Sequence, residues 1–386
     1  MLQRFHRWLG GHSASQLAVL GALILFALWI VNNTATNLEQ QNIASGFGFL
    51  NERTGFAISQ HFLAYDEGSS YWRLLVVGLL NTLAAAVLGI VLASVAGLGI
   101  GILRLSRNYL LRQLAAAYVE TLRNIPLLLQ ILFWYNGVLQ ALPSPRQSLE
   151  VAPHVFLSNR GLVFPAWESG PGGWLWFAAG GICLLAAGWM RWRQTQMRRL
   201  SGKAFRLWPR LLLIAGGAIL VCGASVGWPF ALDLPEFRGF NFVGGARLIP
   251  EFVALVLALG LYTGAFIAEI VRAGIEAVPA GQREAARALG LSRTQMLRFV
   301  ILPQALRVII PPLTSQYLNL TKNSSLGAAI AYPELVAVFA GTSLAQVGQA
   351  VEIISITMLI YLSLSLSTSY GMNRYNRYLM QHGGAP

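Results

Sequence analysis

Apolar residues gather in eight long stretches along the chain, at 14–32, 74–101, 114–140, 174–190, 211–229, 251–271, 307–331 and 351–370. Most approach the ~20 residues a helix needs to cross a ~30 Å hydrocarbon core. The strict alternation of a barrel strand is absent, so the pattern predicts helices, which satisfy every backbone group inside lipid. The expected fold class is an all-α integral membrane protein with about eight transmembrane helices. Pro311-Pro312 predict a kink in the seventh stretch, and the polar run Thr321-Lys322-Asn323-Ser324-Ser325 blurs its outer end. Leu17–Val31 behind Arg4 and Arg7 also fits a signal peptide. The following Asn32–Asn37 make a poor cleavage site, so an uncleaved first span is expected.

Composition agrees with the pattern. Of 386 residues, 55% are hydrophobic and 11% charged, with 28 Lys and Arg against 15 Asp and Glu. Mean hydropathy is +0.55. Soluble domains carry about 25% charged residues, so a soluble enzyme, a disordered tail and a fibrous protein are excluded. The net charge of +13 distributes by side of the membrane. With the N-terminus inside, the inner segments hold 20 Lys and Arg and the outer loops 6, while Arg123 and Lys322 lie within spans. By the positive-inside rule both termini are cytoplasmic. The basic charge is then topology rather than a nucleic-acid footprint. The run 191–210 holds seven bases and no acid, reading as a cytoplasmic stop-transfer loop or an anionic-lipid contact.

No engine is visible. The only Gly-Lys pair, Gly202-Lys203, is followed by Ala204 and has Met197 where a phosphate-binding loop needs its first glycine. The five His are scattered, no metal-ligand spacing occurs, and Cys183 and Cys222 lie in apolar runs, so neither a metal site, a cofactor nor a disulfide framework is implied. No nucleophile-base-acid set can be assembled, and transport is the default for such a chain.

The informative polar segment is 276–303. Pro279 precedes a short helix expected from Ala280 to Leu289, and Gly290 suits the left-handed position that ends it. Ser292 with Gln295 has the form of a capping box opening a second helix, which Pro303 is expected to close. Ala285, Ala286 and Leu289 give the first helix a small apolar face among Arg283, Glu284 and Arg287. Such a knob suits a partner's groove, or else an amphipathic hairpin lying on lipid headgroups.

Glu284, Ala285, Ala286, Gly290, Leu302 and Pro303 match the pattern E-A-A-x3-G-x9-I-x-L-P, with Val300 in place of Ile. The chain thereby resembles permease subunits of bacterial ABC importers, in which this loop is the coupling helix that docks on the ATP-hydrolysing subunit. AEIVRAGI (268–275), PAGQREAA (279–286), ILPQALRVIIPP (301–312), KNSSL (322–326), GLLNTLAAAV (78–87) and YVETLRNIPLLLQ (118–130) look like the histidine/glutamine type of polar amino-acid permease. The resemblance covers about 74–140 and 251–372 and implies a five-helix core, with a cytoplasmic tail at 373–386. Residues 1–73 add an anchor span and periplasmic loop, and 141–250 insert a loop and a helix pair, a plan similar to one permease of the general L-amino-acid importers. The resemblance implies import of L-amino acids across the bacterial inner membrane. Its implied partners are a second, homologous permease, a pair of ATP-hydrolysing subunits and a periplasmic amino-acid-binding protein. This chain would itself be non-catalytic.

Several residues become candidates. Glu284, Ala285, Ala286, Leu289, Gly290, Leu302 and Pro303 form the coupling set. Glu120 with Arg123, and Glu269 with Arg272, sit i, i+3 near inner span ends, where mutual pairing is expected because a lone buried charge is costly; a gate or substrate path is the alternative. A crossing amino acid offers a carboxylate and an ammonium. Lys322 beside Asn323 can meet the carboxylate or can snorkel to outer headgroups. Asn81 and Thr82 are weaker path candidates. Gly89, Ala93, Gly97 and Gly101 recur every four residues, a small face for close helix approach within the core or against a second permease. The rival reading, an ion-driven secondary transporter, calls for intramembrane acids and an internal repeat. No convincing repeat is seen.

Overall fold

The computed structural model describes residues 13–40, 45–169, 180, 181, 183, 185–190, 216, 217 and 230–382. It divides into two compact units, Met1–Leu132 with Leu255–Pro386, and Phe133–Ala254.

The first unit is helical. Helix α1 (Ser13–Gln40) is followed by a single 3₁₀ turn and a loop, then α2 (Tyr71–Arg104), α3 (Tyr109–Asn124) and the short α4 (Leu127–Leu132). Helix α5 (Pro250–Glu276) leads into α6 (Ala280–Ala288), α7 (Arg293–Met296) and, after a π-turn, α8 (Leu302–Asn323). A 3₁₀ segment, Ser324–Ile330, ends at left-handed Ala331. A π-helical run over Val336–Ser343, α9 (Leu344–Val347) and α10 (Ala350–His382) complete it. Among the described residues five helices are long and apolar enough to cross a membrane: Gln16–Thr34, Tyr71–Arg104, Pro250–Glu276, Arg293–Ile330 and Ala350–Arg377.

Two expectations change here. The stretch 114–140 is not one helix. Pro126 disfavours helical backbone in the residue before it, and Ile125 is extended at φ −93°, ψ 127°. The freed carbonyls of Leu122 and Ile125 are taken by the buried amide of Gln130, at 2.8 and 3.0 Å. Pro303 does not close a helix either. The π-turn Leu297–Ile301 shifts the hydrogen-bond pattern just ahead of it, and the chain runs on as helix through Pro303, Pro311 and Pro312 to Asn323. Of the two inserted stretches, 174–190 and 211–229, most residues lie outside those described, as does Cys222.

Helix α2 organises the first unit. Its Gly89, Ala93, Gly97 and Gly101 are all buried. A Cβ on Gly97 would stand 2.6 Å from Ile267 Cβ and 2.9 Å from Gly264 O, and one on Gly101 2.8 Å from Ala268 O. The small face is therefore spent within the same chain, on α5 and, at Gly89, also on Leu320 of α8. At the other end of α2, Phe49, Tyr71, Leu74, Leu75, Leu335, Val338, Phe339 and Ile353 form a buried cluster. In the loop before α2, Thr54 Oγ1 lies 2.7 Å from Tyr65 Oη, and that hydroxyl donates to Phe56 O at 2.9 Å. Burial pushes the Tyr65 hydroxyl up from its ordinary pKa, which keeps it a donor.

The second unit contains strands that an all-helical pattern leaves out. Strands β1 (Leu149–Ala152), β2 (Val155–Ser158), β3 (Gly161–Phe164) and β8 (Ala246–Leu248) make an antiparallel sheet in the order β1-β2-β3-β8. Gly161 is at φ +109°, and a Cβ there would be 2.0 Å from Leu248 O, so no other residue fits this turn. Strands β4 (Ala166–Ser169) and β5 (Phe230–Asp233) pair as a ribbon, with Ser169 opposite Phe230. Strands β6 (Glu236–Arg238) and β7 (Asn241–Val243) form a hairpin, and Phe242 stacks on Phe156 with centroids 4.6 Å apart. Strands of three or four residues are too short for a period-2 signal, and β3 and β4 find their partners β8 and β5 far along the chain.

Candidate functional site: the helix-turn-helix and the Lys322 recess

The segment 279–303 folds as a capped helix-turn-helix. At the end of α6, Leu291 N–H donates to Ala286 O at 3.1 Å and Gly290 N–H to Arg287 O at 2.9 Å. This pair is the Schellman arrangement, with Gly290 at φ +72° in the left-handed position. Ser292 Oγ accepts from Gln295 N–H at 3.3 Å while Gln295 Oε1 accepts from Ser292 N–H at 2.9 Å, closing the capping box. Arg283 Nη2 donates to Ile275 O at 2.7 Å, tying α6 to the end of α5.

Its apolar face divides in two. Ala286 is buried against Val278, Met296, Ile301, Ala305 and Ile309 of the same chain. Leu289 is 79% exposed, and Glu284 and Ala285 are exposed beside it. The sequence pattern grouped Ala285, Ala286 and Leu289 together. The fold turns Ala286 inward, because it is the one position that meets the start of α8. Leu302 is exposed and Pro303 half-buried on that helix.

The charged pairs behave differently from each other. Glu269 takes Arg272 Nη2 at 2.5 Å and also pairs with Arg104, while Arg272 pairs in turn with Glu276. This four-member chain joins the ends of α2 and α5. Glu120 and Arg123 form no ion pair with each other; Arg123 instead lies over the Phe266 ring, 5.0 Å from its centroid. The expectation of mutual pairing fails there because the aromatic face offers the guanidinium an alternative.

Asn81 and Thr82 are fully buried and serve the scaffold. Asn81 Nδ2 donates to Gln60 O at 2.9 Å and to Pro333 O at 2.7 Å. Thr82 Oγ1 accepts from Leu335 N–H at 3.0 Å and donates to Gly78 O at 2.9 Å. Both pin the connection 331–335, which holds a residue the sequence reading missed. Glu334, with no exposed surface, accepts from Val336 N–H at 2.9 Å, Ala337 N–H at 2.7 Å and Tyr361 Oη at 3.1 Å. An acid ahead of the apolar run 335–347 was the available signal, since it is placed to cap that run's free amides.

Tyr361 connects Glu334 to a recess of about 460 Å³ whose lining includes Lys322, Ser325, Val336, Thr357, Tyr361 and Ser365. Lys322 is exposed and forms no ion pair among the described residues. Asn323 is half-buried one position further on. Lys322 and Ser325 thus face Thr357, Tyr361 and Ser365 of α10 across a recess that also carries apolar Val336, Met358 and Leu362. Among the described residues no group of His, Cys, Asp and Glu could hold a metal ion.

A family model described as binding-protein-dependent transport system inner membrane component matches residues 240–379. The class is thus a multi-pass inner-membrane subunit of a binding-protein-dependent transporter. YhdX of Escherichia coli K12, by name an amino-acid ABC transporter permease protein, is 52% identical over 367 residues, 94% of this chain and 92% of the relative. The general L-amino acid transport system permease protein AapQ of Rhizobium johnstonii is 49% identical over 94% of this chain and 90% of its own. The glutamate/glutamine/aspartate/asparagine transport system permease protein BztB of Rhodobacter capsulatus is 40% identical over 94% and 92%. The chain belongs to the amino-acid permeases of ABC transporters.

Proposed function

We propose that this permease carries L-amino acids inward and is driven through residues 280–303 by a separate ATP-hydrolysing subunit on the cytoplasmic side. The observation that carries the reading is the rigid, doubly capped helix-turn-helix that presents Leu289, 79% exposed, beside Ala285 and Glu284. An apolar side chain held out on a capped helix suits a partner's groove. Gly290 sets the turn and Arg283 fixes the helix to α5, so a push on α6 is passed to a span. The split of 20 basic residues to 6 supports placing this loop and both termini in the cytoplasm.

The substrate class follows from the relatives' names together with the chemistry of the recess. Lys322 would meet the carboxylate of an amino acid, and Tyr361 with Glu334 behind it would face the ammonium. A periplasmic binding protein would deliver substrate, and a second, homologous permease would complete the path. Residues 141–250 form an insertion between the two parts of the permease core.

The test is an affinity pull-down of the tagged chain from its native membrane in mild detergent, with partners identified by mass spectrometry. Wild type should bring down an ATPase and a second permease. Gly290→Val and Leu289→Asp should lose the ATPase while the chain itself is still recovered. A wild-type chain that is recovered without any ATPase overturns the docking role.

A further inference from the structure

Two cavities in the first unit meet at Leu297. One, of about 640 Å³, is an apolar groove between α2, α5 and α8, with Leu98, Ile102, Ile267, Leu302, Leu306 and Leu313 along its walls. It stays open to the outside, since Leu98 and Ile102 are each more than half exposed. Its far end is marked by Ser94 Oγ and Tyr317 Oη, 2.7 Å apart. Ser94 lies ten residues before Arg104, the last residue of α2, or about 15 Å along the helix at ~1.5 Å per residue. That length is half of a ~30 Å hydrocarbon core, one leaflet deep.

The other cavity, of about 630 Å³, lies where this groove reaches the helix-turn-helix. Arg107 follows α2, Arg287 is on α6 and Arg293 on α7, around a floor of Leu291, Met296 and Ile301. All three arginines are exposed, and none makes an ion pair within the described residues. No acidic residue lines either cavity. This contrasts with Arg104 and Arg272 nearby, which are neutralised by Glu269 and Glu276. Three uncompensated guanidiniums, donors suited to phosphate oxygens, cap an apolar slot one leaflet deep.

We propose that this composite site holds an anionic phospholipid of the inner leaflet, with its phosphate on Arg107, Arg287 and Arg293 and an acyl chain in the groove up to Ser94 and Tyr317. The proposal rests on the reading that residues 280–303 face the cytoplasm. Because two of the three arginines belong to the helix-turn-helix, the bound headgroup would tie that element to the end of α2 and make its position sensitive to membrane charge.

The full chain is reconstituted in nanodiscs of phosphatidylcholine doped with phosphatidylglycerol, and retained lipid is counted by native mass spectrometry after release. Wild type should keep phosphatidylglycerol in preference to phosphatidylcholine. The triple change Arg107→Gln, Arg287→Gln, Arg293→Gln should weaken retention, by about fivefold for each arginine lost. Ile102→Trp, at an exposed groove position, should weaken it as well while leaving the arginines intact. Circular dichroism and gel filtration verify that both variants are folded. Equal retention of the two lipids by wild type overturns the proposal. A loss in the arginine variant that Ile102→Trp does not share, with inorganic phosphate competing, assigns the arginines to a free anion and also overturns it. Unchanged lipid retention with loss of ATPase in the pull-down would assign them to an acidic protein surface instead, again overturning it. ATPase recovery by wild type is scored separately, so failure of the docking reading leaves the lipid result standing on its own.

Discussion

The two ends of α2 are held by different physics. Toward its N-terminus, Tyr71, Asn81 and Thr82 make directional hydrogen bonds to Gln346, Pro333 and Leu335, and Asn81 and Thr82 are wholly buried. Toward its C-terminus, Gly97 and Gly101 let α5 approach, and Arg104 joins a chain of ion pairs whose members are 16% to 51% exposed. Buried bonds of fixed geometry lose their full value when an element shifts, because a donor or acceptor is left without water. Exchangeable ion pairs at a wet surface lose little. The contrast assigns buried hydrogen bonds of fixed geometry to the N-terminal end, and close helix packing finished by exchangeable ion pairs to the end nearest the helix-turn-helix.

The largest effect should come from the close contact itself. Gly97→Leu places atoms where even a Cβ is 2.6 Å from Ile267, and folded protein should vanish from fluorescence-detected gel filtration. Gly99→Leu, with nothing within 4 Å of its Cβ, should be tolerated and marks the boundary of the effect. Next, Asn81→Ala leaves the carbonyls of Gln60 and Pro333 without their donor. At ~1–3 kcal/mol per buried group, a clear fall in thermal midpoint by intrinsic fluorescence is expected, independent of salt.

Glu269→Gln, at the opposite end, should cost about 1 kcal/mol or less, since its partners are partly solvated and Arg272 keeps Glu276. Its penalty should shrink in high salt, whereas that of Asn81→Ala should not. If both variants respond to salt alike, the two ends are not held differently. The smallest effect belongs to Ser292→Ala, about 0.5 kcal/mol at this exposed cap and confined to it. Faster amide exchange at Gln295, with an unchanged global midpoint, is the expected record.

What the sequence revealed depended on the range of the forces involved. The helix-turn-helix was readable because Pro279, Gly290, Ser292 and Gln295 act within a few residues of themselves. The long apolar helices were readable because hydrocarbon imposes their length. The break at Ile125 was carried by Pro126 in plain view, yet averaging hydropathy over 114–140 concealed it. The strands of the second unit escaped because each has only three or four residues, and because β3 finds β8 across more than eighty positions, a pairing that no local window contains. Ala286 was misjudged because α8 buries it from afar, whereas Glu334 carried a local capping signal and only its partner Tyr361 on α10 is remote. Which residues share a recess is the most remote property of all, since Lys322 and Tyr361 come together only through the finished fold.

The ribbon of β4 and β5 carries a practical corollary. Because Ser169 stands opposite Phe230, the segment 170–229 begins and ends side by side, at a single doorway. Everything between those positions is topologically a cassette. A two-residue Asn-Gly turn joining the strands would close the same ribbon as a hairpin, since that dipeptide matches the strand twist. The doorway is therefore a natural seam for excision, for exchange with a relative's segment, or for a reporter domain, with the rest of the chain left covalently unbroken.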